Sequence, residues 1–329
     1  MNNLFSLDKP NESKEAAQKQ RGWHWALELV VFFVVFIVAS IMEMLIMVPG
    51  QLILCYSNAE YREASMAMDL GRLLEITSEI VQTDAYTIIM LFANLGIILT
   101  VWLFCRFIQK RPLRTLGFKK IKILKEYGIG LCVGFAAFSA AVLLCVISGA
   151  IKLEGLSQAF SLGVFLFFTV GFLIQGMAEE MLCRGYFMIS VTRRYPVAVG
   201  IILNSLFFAV LHLLNSGISL LAFCNLVLFG VFASVYFIRR GSIWGIGAFH
   251  SIWNLVQGNL YGIKVSGMQA NCSILQSEVV VGKELWNGGA FGLEGGLAVT
   301  IILLAGTMIL FFLKGQGNAE DLQSAEPEM

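Results

Sequence analysis

The chain has 329 residues, of which 57% are hydrophobic and 14% charged, with a formal net charge of +1 and a mean hydropathy of +0.77. A water-soluble globule carries about 25% charged residues, so this composition excludes one and describes a polytopic membrane protein. The basic residues gather in short loops instead of lining one face, and with a net charge this close to zero nucleic-acid binding is excluded too.

Residues 1–21 are polar, carry Lys9, Lys14, Lys19 and Arg21, and lack the short apolar core and cleavage site of a signal peptide. They read as a cytoplasmic tail. Residues 26–48 are apolar for long enough to cross about 30 Å of hydrocarbon, with Glu28 and Glu43 near the two ends and Trp23 and Trp25 at an interface. His24, between those tryptophans, reads as an exposed interfacial side chain. Residues 50–85 form an acidic, helix-favouring loop suited to the outer side. A second span at 86–107 leads to a loop crowded with Lys110, Arg111, Arg114, Lys119, Lys120, Lys122 and Lys125, which the positive-inside rule places in the cytoplasm. Further spans follow at 127–151, 160–190, 197–214, 218–237, 242–260 and 296–313. Arg193, Arg194, Arg239, Arg240 and Lys314 all fall on the inner side of this arrangement, and the cation-poor loop 261–294 falls outside.

The expected fold is therefore all-α, a transmembrane bundle of about eight spanning helices with both termini cytoplasmic. It comprises one domain, 22–315 with its core at 160–260, between polar tails at 1–21 and 316–329, and shows no internal repeat. A multi-pass protein of the cell membrane is implied, with the lipid bilayer as its first partner. The seven cysteines, Cys55, Cys105, Cys132, Cys145, Cys183, Cys224 and Cys272, are odd in number and lack CxxC spacing, so they read as small buried hydrophobes.

Against this apolar background the segment Ala178-Glu179-Glu180-Met181-Leu182-Cys183-Arg184 stands out. An ionisable side chain at the bilayer centre costs about 2.5 kcal/mol or more. Glu180 and Arg184, four apart, meet on one helical face and can pair. Glu179 points about 100° away and needs another partner. A solvated helix end would explain this cluster alone. Two further spans carry polar sets at helical spacing, however: Phe208-xxx-His212, and His250-xxx-Asn254. Interhelical glue, worth about 0.6–2 kcal/mol for each bond, accounts for one such group more easily than for three phased sets. Gly241, Gly245 and Gly247, just before His250, allow close helix approach or open backbone.

A carboxylate beside an imidazole can hold a water and take its proton, while a second imidazole and an amide can face a tetrahedral oxyanion. Cys183 lies off both polar faces and has no base, so it is a poor nucleophile.

Taken together and in order, Glu179-Glu180-xxx-Arg184, Phe208-xxx-His212 and His250-xxx-Asn254 resemble the CAAX-protease and bacteriocin-processing (CPBP, Abi) family, which includes the Rce1-type prenyl-protein endopeptidases. The resemblance is strongest over 160–260 and extends weakly to Arg114-Thr-Leu-Gly-Phe118 and Arg240-Gly-Ser-Ile-Trp244. It implies an intramembrane protease with an eight-helix core, a cavity open towards the cytoplasm, and a peptide or protein substrate at the membrane. By motif, Glu179 and His212 would activate water, His250 and Asn254 would stabilise the oxyanion, and Glu180, Arg184 and Phe208 would support them. The family is often labelled metalloprotease. With no HExxH, and with Glu179, His212 and His250 at the lower edge of the three-ligand set that catalytic zinc normally has, a glutamate mechanism requiring no metal is favoured and zinc is the open alternative. A second class of function, a transporter, immunity or scaffolding protein using the same residues as a polar relay, would be expected to show broken helices in matching halves.

Overall fold

The computed structural model describes residues 7–313, so the tail 316–329 and residues 1–6 lie outside it. The described chain is an all-α bundle with one small sheet. Its elements are α1 Asn11–Lys19, α2 Trp25–Ser57, α3 Ala59–Met66, α4 Leu70–Ile80, α5 Asp84–Ala93, α6 Leu95–Leu103, α7 Ile123–Ile147, β1 Ile151–Leu156 and α8 Leu162–Glu180. They continue with α9 Ile189–Thr192, α10 Val197–Leu211, α11 Leu220–Arg240, α12 Ile243–Leu255, β2 Leu275–Val279, α13 Glu284–Asn287 and α14 Leu297–Phe312. Short π-helical runs continue two of these helices: Met181–Met188 follows α8 and contains Arg184, and Val256–Leu260 follows α12 just beyond Asn254.

Five helical runs are long and apolar enough to cross a bilayer: Trp25–Ser57, Asp84–Ile108, Ile123–Ile147, Leu162–Thr192 and Leu220–Arg240. The remaining expected crossings are shorter. α10 has 15 residues and α14 has 16, about 22–24 Å at 1.5 Å per residue, which falls short of a 30 Å hydrocarbon layer. α12 is almost wholly buried against α7 and α8. It is therefore screened from lipid by its neighbours and gains nothing from a full-length apolar stripe.

Small residues set how closely these central helices meet. A Cβ on Gly134 of α7 would stand 2.6 Å from the Phe249 carbonyl oxygen, and one on Gly176 of α8 would stand 2.5 Å from Ser251 Oγ and 2.6 Å from Ser251 N. Both contacts fall on α12, one residue either side of His250. The entry to α12 is equally local: Gly241, at φ +60°, ends α11 in the left-handed conformation, and the Ser242 side chain caps α12 by accepting from Trp244 N–H.

The cations interlock at one end of the bundle. Arg193 binds the Glu28 carboxylate at 3.1 Å with both side chains fully buried, and Arg240 holds Glu126 at 2.6 and 2.9 Å. Residues 11–19, expected as part of a tail, form a docked helix. Its Ser13 hydroxyl lies 2.5 Å from that of Thr192, and its Glu12 pairs with Lys119 at 3.4 Å. At the opposite end β1 and β2 pair antiparallel with a bulge between Leu153 and Gly155, Asp84 accepts from the backbone N–H groups of Asn271 and Cys272, and Asn287 donates to the Ala150 carbonyl. The loop 261–294 is thus pinned across this second end.

Candidate functional site

The polar motifs converge in the middle of the bundle. Glu180 and Arg184 are completely buried and paired at 2.8 Å, as their spacing predicts. Arg184 also donates to the Gly230 carbonyl at 3.5 Å, and its guanidinium carbon lies 4.7 Å from the Phe208 ring centre and 5.8 Å from that of Phe229. A buried charge pair of this kind costs about 3–5 kcal/mol to break from one side, so the pair ties α8 to the aromatic layer of α10 and α11.

The same Glu180 oxygen, Oε1, lies 2.9 Å from Nδ1 of His250. Because that carboxylate also takes the Arg184 hydrogen bond, Nδ1 is the donor, and the opposite ring nitrogen, Nε2, is turned towards Glu179. His212 is fixed in a similar way by its own helix. It closes α10 at φ −96°, ψ 0°, and its Nδ1 donates to the Phe208 carbonyl at 2.7 Å, so its Nε2 also faces Glu179. Phe208 therefore supports two members of the set, by its ring and by its backbone.

Glu179 Oε2 stands 3.8 Å from His250 Nε2 and 4.0 Å from His212 Nε2, and it accepts no hydrogen bond from the protein although it is buried. Those separations exceed a direct hydrogen bond. Two groups sharing one water at about 2.8 Å each stand about 4 Å apart or slightly more. Ligands of a tetrahedral zinc, with bonds of about 2.0–2.1 Å, would stand about 3.3–3.4 Å apart. Among the described residues no set of three or more His, Cys, Asp or Glu side chains is placed to hold a metal ion. In the zinc set considered from sequence, Glu179 thus stands farther from His212 and from His250 than two ligands of one such ion would.

The other Glu179 oxygen has a partner the motifs did not name. Gln175, one turn earlier on α8, donates from Nε2 to Glu179 Oε1 at 2.5 Å, while its own Oε1 accepts from Asn254 Nδ2 at 2.9 Å. Asn254 is buried and held by this bridge. One of its two N–H groups is thus committed, and its Oδ1 has no partner. The signal for Gln175 was its i−4 spacing from Glu179 on the same face.

Residues 160–256 match the family model described as type II CAAX prenyl endopeptidase Rce1-like. These residues are an Rce1-like domain. No curated protein and no solved structure among those compared matches the chain. The Rce1-like domain contains Gln175 and all seven residues singled out from sequence, running from the start of α8 to the end of α12. The walls around its site come partly from elsewhere. A cavity of about 610 Å³ joins Glu179, His212, His250 and Asn254 to Ser266, Met268 and Glu294 of the loop at 261–294. A second, of about 850 Å³, meets it at Glu179, His212 and Met268 and continues between Phe36 and Glu43 of α2 and Met90 of α5. Glu43, read from sequence as a span-end residue, thus shares a cavity with Glu179. Cys183 is buried and free.

Proposed function

We propose that this integral membrane protein is an endopeptidase of the cell membrane, cutting a peptide bond in a membrane-associated, prenylated or precursor peptide with an activated water. The observation that supports this best is Glu179 Oε2, unpartnered and facing the Nε2 atoms of both histidines at 3.8 and 4.0 Å. In this reading Glu179 and His212 take a proton from the water as its oxygen attacks the peptide carbonyl carbon. The carbonyl π pair moves onto oxygen, where His250 Nε2 and the uncommitted N–H of Asn254 receive it. Collapse of the tetrahedral adduct breaks the C–N bond, and the proton held by Glu179 passes to the leaving amine nitrogen.

His250 donates to an oxyanion only with both ring nitrogens protonated, since Nδ1 already binds Glu180. A cationic His250 with Arg184 would balance the two carboxylates, leaving the buried set neutral overall. The walls suit an extended peptide, with apolar side chains of α2 and α5 on one side of Glu179 and polar groups of the outer loop on the other.

The test is hydrolysis of a membrane-anchored peptide by the purified protein in lipid. A general base contributes about 10²–10⁴-fold, so Glu179→Gln and His212→Ala are each expected to lose at least 100-fold in kcat while the melting temperature holds, and the parent activity is expected to survive prolonged chelation. Undiminished cleavage by Glu179→Gln would exclude the mechanism and favour a polar relay.

A further inference from the structure

The Rce1-type resemblance implies a cavity facing the cytoplasm, yet the structure puts the mouth of this one at the other end. Four segments rich in Lys and Arg lie together at one end of the bundle. Lys9 donates to the Arg193 carbonyl, Arg193 to the Gln20 carbonyl, and Trp244, just past Arg240, to the Lys119 carbonyl. The opposite end carries the loops 50–85 and 261–294, where Arg62, Arg72, Lys264 and Lys283 are outnumbered by carboxylates. Short loops dense in Lys and Arg stay in the cytoplasm.

The cavity at Glu179 is bounded at its far end by Asn215, Val265, Ser266, Met268 and Glu294, all of the cation-poor end. Asn215 follows α10, whose first residue comes directly after the basic Arg193-Arg194-Tyr195-Pro196 turn, so the helix crosses from the basic end to the mouth. In the other direction the way is closed. Tyr186, Phe187, Phe237, Ile243 and Ile246 are fully or almost fully buried between the Glu180–Arg184 pair and the basic loops. A separate pocket at the basic end, formed by residues 7–12 with Lys119 and Arg239, shares no lining residue with the Glu179 cavity.

We infer that the site is entered from the face of the membrane opposite the cytoplasm, over the tight turn Val265–Met268, and that the peptide it receives is presented on that face. The turn itself is well held. Val265 and Met268 exchange backbone hydrogen bonds at 2.8 Å, and Ser266 donates from both N and Oγ to Glu294 at 2.7 and 2.8 Å. Asn215 reaches it from the α10 side, donating to the Ser266 carbonyl at 3.1 Å. The substrate class is accordingly an exported or membrane-anchored polypeptide cut in its extracytoplasmic segment, not a prenylated tail left in the cytosol. The nature of the ligand rests on the endopeptidase proposal; the side of entry does not.

Cysteine labelling separates the two. In full-length protein with its seven cysteines replaced by alanine or serine and expressed in a bacterial inner membrane, single cysteines are placed by Met268→Cys at the mouth, Gln269→Cys on its exposed rim, and Lys120→Cys at the basic end. Sealed spheroplasts are treated with a membrane-impermeant maleimide before and after permeabilisation. The two mouth positions are expected to label in sealed spheroplasts, and Lys120→Cys only after permeabilisation. Labelling of Lys120→Cys in sealed spheroplasts, labelling of the mouth only after permeabilisation, or a mouth that labels under neither condition would each overturn the inference. None of these readouts needs hydrolysis, so an inactive protein tests the side of entry as well as an active one.

Discussion

Gln175 holds two groups that must not drift. Its amide N–H fixes one oxygen of Glu179 at 2.5 Å, which leaves the other oxygen directed at the histidines, and its carbonyl fixes Asn254 at 2.9 Å. Removing it would free both to rotate, and small displacements at a reacting centre cost rate steeply. Gln175→Ala is therefore expected to lower kcat by about 10–100-fold with little change in KM, since no substrate contact is assigned to it. Gln175→Glu, which keeps the size and the acceptor but places a second carboxyl against Glu179, should shift the pH profile of kcat as well. A steady-state comparison of the three proteins checks both, and an altered KM with unaltered kcat would place Gln175 in substrate binding instead. Helical phase made Glu180 and Arg184 legible as a pair, and separated Glu179 from them. What Glu179 meets was only half legible. Gln175 lay at the same spacing on the same helix, whereas the approach of His212, His250 and Glu43 depends on how three other helices pack, which no spacing within α8 encodes.

At the scale of elements, the contact between α8 and α12 decides whether the polar groups meet. Gly176 lies against Ser251, four residues before Glu180 and one after His250, and the absence of a side chain there lets His250 come within 2.9 Å of Glu180. An added methyl would stand 2.5–2.9 Å from three Ser251 atoms, two of them backbone, so the helices must part. Gly176→Ala is expected to lower stability by about 1–3 kcal/mol, as overpacking does, and to lower hydrolysis by more than that loss of folded protein explains. Thermal unfolding measured beside kcat distinguishes the two effects; activity falling only in step with the folded fraction would remove Gly176 from the positioning of the site. The long apolar runs were readable because length and hydropathy are local properties. β1 was not, because Ile151–Leu156 is short, is interrupted by a bulge between Leu153 and Gly155, and finds its partner only at Leu275–Val279. The helix at 11–19 was likewise hidden. Its mean composition is polar, and only docking on Thr192 and Lys119 gives its inner face a purpose.

Over the whole molecule, the Rce1-like domain supplies the polar groups and the flanking chain supplies their container. α7 precedes the matched residues, yet its Gly130 and Gly134 receive the backbone of α12 at Gly245 and Phe249. α2 and α5 wall one cavity through Phe36, Glu43 and Met90, and α14 with the 261–294 loop walls the other through Leu303, Val299 and Glu294. The loop is in turn tied to the start of α5 by Asp84 and to the end of α7 by Lys283, which donates to the Ser148 carbonyl. Stripped of these partners, the buried faces of α8 and α12 would meet lipid, with Glu180 and His250 no longer enclosed, at a cost of several kcal/mol for each ionised group. Residues 160–256 expressed alone in a membrane are accordingly expected to be cut rapidly by added protease and to show no peptide hydrolysis. Co-expression with the two missing pieces, 1–159 and 257–329, should restore both protection and cleavage if the contacts named above are what the fragment lacks. An isolated fragment that cleaves at the parental rate would mean instead that the outer helices only embed the site and do not build it.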